Sequence, residues 1–243
     1  MEVHHHAHTA RKKWTHYFWE FLMLFLAVFC GFLAEYQLEH KIEKDRAKVY
    51  AKNLYEELKK DTADINFTIL SNDTLAGKLD SFCLFISEKN ERNVTNGMLY
   101  YYSGFTTYVY NFTSNNTTIE QLKGSGNLRL LGNDFSKKIN AYGNQLAQLE
   151  REYNLSRTEF EKMEALYFKI FDGIIADRYF LEKTGRKVKR DSVFKMDPPL
   201  ITDDPKLMKE YSGLLKFESN IYRAQSRRYL VPLKQKALTL LTL

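Results

Sequence analysis

Residues 135–170 read FSKKINAYGNQLAQLEREYNLSRTEFEKMEALYFKI, and the spacing of their large apolar side chains decides the fold class. These side chains recur in alternating steps of four and three residues, the 3.5-residue repeat of a helix packed along a seam. The repeat is interrupted only at Ser156 and Asp177. Because it otherwise continues, the spacing predicts one long helix over residues 135–181. The predicted seam residues are Phe135, Ile139, Tyr142, Leu146, Leu149, Tyr153, Phe160, Met163, Tyr167, Ile170, Ile174 and Leu181.

Two further long helices are predicted to partner this seam. From Leu38 to Phe85, apolar residues recur at helical spacing with charged residues between them, up to a polar stretch at residues 88–96. A third helix is predicted after an Asp203 or Asp204 cap, with Pro205 in its first turn. Pro232 should kink or end that helix, because proline has no N–H to donate.

An insert of different composition, about residues 97–132, separates the first two long helices. Its second half predicts two short helices around a glycine turn, with Thr118 opening a capping-box pattern. Its first half, MLYYYSGFTTYVYNF, is rich in aromatic residues that could either line a ligand pocket or cap the core. The pocket candidates are Tyr100, Tyr101, Tyr102, Phe105, Tyr108 and Tyr110.

Residues 14–36, WTHYFWEFLMLFLAVFCGFLAEY, predict one transmembrane helix. The strictly apolar part covers only residues 21–34, but the flanking aromatic residues extend the segment to about 34 Å, enough to cross a bilayer. A cleaved signal peptide is the first alternative, but no small-x-small site follows the segment. A lipoprotein is the second, but Phe29 precedes Cys30 where a small residue is expected. A short basic tail before a large domain is typical of a signal anchor with its N-terminus in the cytoplasm.

Glu20 is an unusual residue in this segment, and His16 lies four residues before it, on the same helix face. Ionisable groups inside a membrane are costly and often functional. In one interpretation Glu20 extends to the lipid headgroups beside His16. In the other, several copies of the chain form a ring of Glu20 carboxylates along an ion path.

The distribution of histidine and cysteine argues against an enzyme. All six histidines lie in the first forty residues, and residues 41–243 contain no histidine and a single cysteine, Cys83. This excludes Cys/His zinc sites and Ser-His-Asp triads there, so we expect neither catalysis nor a cofactor. The net charge of +6 comes from interleaved acids and bases, which does not indicate nucleic-acid binding. The N-terminal tail could bind Zn, Ni or Cu weakly through His4, His5, His6 and His8.

The opening MEVHHHAH and the following RKKWTHYFWEFLMLFLAVFCGFLAEYQLEHKIEKDR closely resemble the N-terminus of a family of membrane-anchored proteins of unknown function from Bacteroidetes bacteria. TIEQLKGSGNLRLL resembles, more loosely, the middle of related proteins. The resemblance implies a native His-rich tail, an inner-membrane anchor and a periplasmic helical domain, with no known activity. It also implies O-glycosylation at Asp-Ser/Thr-apolar triplets, which here contain Thr62, Thr74 and Ser192.

Together these features predict an all-α protein with a cytoplasmic tail (1–13), one transmembrane helix (14–36) and a periplasmic domain (37–243). The N-terminal helix should continue into an extended antiparallel bundle of three long helices plus the short helical insert. Three functions remain open. The chain is a scaffold that forms a homo-oligomer or holds another envelope protein, a sensor-like bundle with the aromatic insert as its ligand pocket, or a stator-type, ion-conducting subunit using Glu20.

Overall fold

The computed structural model describes residues 13–89, 93–179 and 190–242, and within these residues every regular element is helical. The expectation of an all-helical chain is therefore confirmed. The α-helices are α1 (Trp14–Ser87), α2 (Asn96–Ser103), α3 (Thr117–Gly124), α4 (Asn133–Ile170), α5 (Gly173–Tyr179), α6 (Arg190–Val193), α7 (Pro205–Ala224) and α8 (Val231–Leu241). Two 3₁₀ segments (Gly104–Thr107 and Asn127–Leu131) and one π-helical turn (Gln225–Leu230) join them.

The chain divides into two compact units, Met1–Lys52 and Asn53–Leu243, here called the N-terminal and C-terminal units. In the N-terminal unit, the apolar part of α1 reaches a mean hydropathy of 2.0, and none of that stretch is buried. Among the described residues, α1 is the one helix long and apolar enough to cross a membrane. The predicted apolar helix near the N-terminus is thus present.

The core of the C-terminal unit forms against a heptad stripe on α1, here called the inner seam. Its members follow steps of four and three residues and are all buried. Phe82 lies at its centre, with its ring about 6 Å from those of Phe171 and Tyr211. α4 packs against α7 and α8. The inner seam consists of Leu54, Leu58, Asp61, Ile65, Thr68, Asn72, Leu75, Leu79, Phe82 and Ile86.

The second long helix is shorter than its apolar repeat predicted, because α4 ends at Ile170. Phe171 adopts an extended conformation, and Oδ1 of Asp172 then accepts hydrogen bonds from the N–H groups of Ile174 (2.8 Å) and Ile175 (3.2 Å). This cap starts α5 in a new direction. The prediction that Ile174 lies in the seam is wrong, since it is 76% exposed, and Leu181 lies outside the described residues.

The start of the third long helix is confirmed. Oδ1 of Asp204 accepts a hydrogen bond from the N–H of Lys206 (3.2 Å), and Pro205 occupies the first turn of α7. Pro232 does not end the helix, which widens into the π-helical turn and continues as α8. A proline ring crowds the carbonyl four residues before it and donates no hydrogen bond, and the wider turn relieves both problems.

Candidate functional site

A second heptad stripe of α1, here called the outer seam, faces away from the core of the C-terminal unit. Phe67 and Leu70 are 63% and 68% exposed, although both are large and apolar. The hydroxyls of Thr74 and Ser81 donate to carbonyls of their own helix, so the stripe presents no unpaired hydroxyl hydrogen. It carries no charge. The outer seam consists of Ala63, Phe67, Leu70, Thr74, Gly77, Ser81 and Leu84.

Charged residues flank the outer seam in a regular order. On one side Asp73 precedes the seam residue Thr74, and Lys59 precedes Lys60, the charged residue at the next position of the same spacing. On the other side Asp64 and Lys78 follow the seam residues Ala63 and Gly77. Lys59, Asp64 and Asp73 are exposed. The ammonium of Lys78 lies 5.2 Å from the centre of the Phe105 ring. The stripe therefore has the arrangement of a coiled-coil face, an uncharged centre with charged edges.

The aromatic insert lies beside the outer seam and forms one wall of an open groove of about 440 Å³. Three of the six predicted pocket residues, Phe105, Tyr108 and Tyr110, line this groove. The ring of Tyr110 meets that of Phe67 edge to face, with 6.1 Å between their centres. The insert thus widens the apolar surface that begins at the outer seam.

The other three aromatic residues of the insert serve the core and lie outside this groove. Tyr100 is fully buried, and its hydroxyl donates to the carbonyl of Pro199 (2.8 Å). Tyr101 and Tyr102 both contact the ring of Phe194, at centre distances of 5.3 and 6.2 Å. Of the six predicted pocket residues, three therefore line the groove and three pack against the rest of the C-terminal unit.

A buried carboxylate on the inner seam joins the insert to α1 and α4. Asp61 is 2% exposed and accepts hydrogen bonds from the hydroxyl of Tyr142 (2.6 Å), the N–H of Asn115 (3.1 Å) and the hydroxyl of Ser114. Burial, followed by the nearby negative charge of Asp61, raises the pKa of Tyr142, so its hydroxyl keeps its proton. These contacts give Asp61 a structural explanation.

Thr118, predicted to open a capping box, has a different role, because α3 begins one residue earlier at Thr117. Its N–H and hydroxyl both donate to the carboxylate of Glu57 on α1, at 3.1 and 2.8 Å. Glu57 therefore holds the start of α3 against α1, one turn before Asp61.

Asp80 joins α1 to α7. Its carboxylate contacts Arg223 (2.5 Å), Lys216 (2.8 Å) and the hydroxyl of Ser219 (2.8 Å). Partial burial raises the pKa of Asp80, but the hydrogen bonds from these three groups outweigh it and lower the pKa to about 2. The cluster is satisfied and leaves no open position, which indicates a structural role.

A separate cavity of about 220 Å³ opens between α4, α7 and the insert. Glu218 and Gln225 line it, yet they are only 5% and 3% exposed. The pKa of Glu218 is raised to about 7, mainly by burial and also by the nearby carboxylate of Glu159, while a hydrogen bond from the hydroxyl of Tyr222 acts in the opposite direction. Oε1 of Gln225 is buried without a hydrogen-bond partner. The cavity thus combines a protonatable carboxyl with an unused acceptor.

No protein-family model, curated protein or solved structure matches the chain.

The remaining predicted sites are widely separated. His16 and Glu20 are in contact, with 3.0 Å between Nε2 and Oε1, and both are about half exposed. Thr62 and Thr74 each donate to the carbonyl four residues before them, and Ser192 is exposed in α6. His4, His5, His6 and His8 lie outside the described residues. Within residues 13–89, 93–179 and 190–242, no three His, Cys, Asp or Glu side chains are grouped closely enough to hold a metal.

Sequence reasoning missed both the outer seam and the cavity. A heptad search restricted to large apolar residues overlooks Thr74, Gly77 and Ser81, although their spacing was legible in the sequence. Glu218 carried no such signal, since its burial depends on Val109 and Phe160, which lie 109 and 58 residues before it in the chain.

Proposed function

We propose that this protein is a membrane-anchored helical scaffold whose copies associate through the outer seam of α1. The single observation that carries the proposal is the seam itself: seven uncharged residues in heptad spacing beside a well-packed core, six of them exposed and Ser81 half-buried. The exposed apolar segment of the N-terminal unit supports a transmembrane anchor. The resemblance of that segment favours a bacterial inner membrane, with the N-terminus cytoplasmic and the C-terminal unit periplasmic.

The side chains of the outer seam suit a second helix better than a small ligand. Phe67, Leu70 and Leu84 provide large apolar side chains towards its ends. Between them, Thr74, Gly77 and Ser81 are small, and a Cβ added to Gly77 would meet nothing within 4 Å. Small residues at the centre of a helical seam let two backbones approach closely, while the larger ends fill the space around them.

Charge order indicates that the second helix is another copy of α1 running in the same direction. In a parallel two-stranded coiled coil, the residue just before each a position of the heptad faces the residue five places further on in the partner helix. This rule places Lys59 opposite Asp64 of a second copy, and Asp73 opposite Lys78. Both pairs are of opposite charge. Two chains anchored in one bilayer by the same N-terminal segment also share a chain direction and a raised effective concentration.

The test is the oligomeric state of the full chain, extracted in mild detergent and measured by native mass spectrometry. We expect a dimer for the natural sequence and a monomer for the Phe67→Ser/Leu70→Ser variant, because the variant removes the two most exposed apolar side chains of the seam. Leu155→Ser is the matched control, since Leu155 is 74% exposed on α4 and should leave the dimer intact. A monomeric natural chain would refute the proposal.

Charge reversal tests the direction of the pair. Lys59→Asp places two acids opposite each other at both symmetry-related positions, so we expect dimer affinity to fall by about tenfold. The double variant Lys59→Asp/Asp64→Lys restores opposite charges in a parallel pair and should recover most of that loss. No recovery would exclude the parallel arrangement and with it the proposed interface.

A further inference from the structure

The cavity between α4, α7 and the insert has a polar end whose hydrogen bonds can be assigned. The hydroxyl of Ser156 donates its one proton to the carbonyl of Glu152 (2.9 Å), so it can only accept from Gln225. The amide of Gln225 must therefore turn its NH₂ group to Ser156 (3.4 Å). Its carbonyl oxygen Oε1 is then left as a buried acceptor with no donor.

Glu218 adds a buried carboxylate at the same end. The hydroxyl of Tyr222, one turn further along α7, contacts both the carboxylate of Glu218 and the carbonyl of Tyr108 (3.2 Å), and its one proton cannot fill every acceptor position of a carboxylate. Gln225 lies seven residues after Glu218, so the helix places both side chains on one face. Unsatisfied buried acceptors are costly, and a ligand that donates several hydrogen bonds removes that cost.

The rest of the lining limits the ligand's size and is mixed, because the polar side chains of Asn111 and Asn154 stand beside apolar and aromatic ones. Val109, Tyr153 and Phe160 form the walls, and the volume of about 220 Å³ would hold about seven waters at ~30 Å³ each. Arg157 lies at the rim, where its guanidinium pairs with Glu161 (3.1 Å). The cavity therefore fits a molecule with one donor-rich end and a short apolar body.

From this geometry we infer a binding site for a small organic primary ammonium ion, whose –NH₃⁺ group donates to Glu218 and to Oε1 of Gln225. An ammonium carries three donors and no acceptor, which matches the unpartnered Oε1 of Gln225 and the remaining acceptor positions of the Glu218 carboxylate. A positive charge there also compensates a buried carboxylate, which a neutral alcohol does not do. The apolar body of the ligand packs against Phe160 and Tyr153. This site lies on different residues from the outer seam and is independent of the proposed scaffold.

The probe is 2-phenylethylamine, compared with 2-phenylethanol and 3-phenylpropionate, which are similar in size but neutral and negatively charged. Binding is measured by calorimetry on the full chain in detergent at pH 8, above the raised pKa of Glu218, where its carboxyl is mostly ionised. We expect the amine to bind, the alcohol to bind about tenfold more weakly and the carboxylate not to bind. Equal binding of amine and alcohol, or no binding of the amine, would overturn the inference.

Variants then assign the binding to this cavity. Glu218→Gln keeps the shape of the side chain and removes a buried charge, so the fold should persist while the preference for amine over alcohol disappears. Gln225→Leu removes the acceptor Oε1 and should weaken the binding of 2-phenylethylamine by about tenfold. Glu210→Gln, an exposed carboxylate on the same helix, is the matched control. Unchanged amine affinity in Glu218→Gln would place the ligand elsewhere and refute the site.

Discussion

The inner and outer seams of α1 follow the same heptad spacing two residues apart, yet only the inner seam is buried within the chain. Polarity does not explain the difference. The inner seam contains Asp61, Thr68 and Asn72, all almost fully buried, whereas the outer seam carries no charge at all. The inner seam is continuous from Leu54 to Ile86 and is matched by α4, α7 and the insert. Burial is thus decided by which face finds partners along its whole length. Asp61 and Thr68 are hydrogen-bonded there, whereas both polar side-chain atoms of Asn72 are buried without a partner among the described residues, so polarity alone does not keep a residue out of the core.

The largest expected difference between the two faces is in packing. Phe82→Ala should lower the free energy of unfolding by about 4 kcal/mol, because it leaves a cavity among the rings of Phe171 and Tyr211. Leu84→Ala, two residues further along on the outer seam, should cost less than about 0.5 kcal/mol in a single chain. Denaturant unfolding followed by the near-ultraviolet circular dichroism of tyrosine, at concentrations too low for association, measures both. Similar losses in the two variants would mean that the outer seam is also buried within one chain.

The next largest effect concerns the hydrogen bonds of Asp61, a buried polar residue of the inner seam, and their contribution to the free energy of unfolding. Asp61→Ala removes the carboxylate that the Tyr142 hydroxyl, the Ser114 hydroxyl and the Asn115 N–H share as their acceptor, so we expect a loss of about 3 kcal/mol. Asp64→Ala, an exposed carboxylate three residues further along, should change stability by less than about 0.5 kcal/mol. The same unfolding measurement applies. A loss at Asp61 no greater than at Asp64 would show that the network contributes nothing.

Local signals in the sequence were enough to predict much of this fold. The cap at Asp204 and the proline at position 205 located the start of α7, and the apolar spacing of the inner seam located the first long helix. The break after Ile170 was not predicted, because a heptad count gives more weight to Ile174 than to the capping residue Asp172. A cap two residues before an apolar residue is a local signal too, and it outweighed the repeat here.

The candidate sites were less predictable than the helices, for a physical reason. The aromatic insert was recognised by composition, but composition does not say that Tyr100 enters the core while Tyr110 reaches the groove. Glu218 looks like any solvated acid of an amphipathic helix, and its environment comes from Val109 and Phe160, which lie far from it in sequence. The environment of a buried titratable group depends on tertiary contacts, which a single sequence without relatives does not report.

The smallest expected effect comes from a substitution at Gly77 on the outer seam. It should raise the stability of a single chain but lower the affinity of the dimer. Gly77→Ala should raise the free energy of unfolding of a single chain by about 0.5–1 kcal/mol, since alanine loses less backbone entropy in a helix and its Cβ meets open space. The same methyl group should weaken the dimer, because it lies where two α1 backbones approach. Gly213→Ala on α7 is the matched control: its Cβ also meets nothing within 4 Å, so it should stabilise the chain without changing association. If both variants stabilise and neither affects the dimer, the two helices do not approach closely at Gly77, and the outer seam must associate through its larger residues alone.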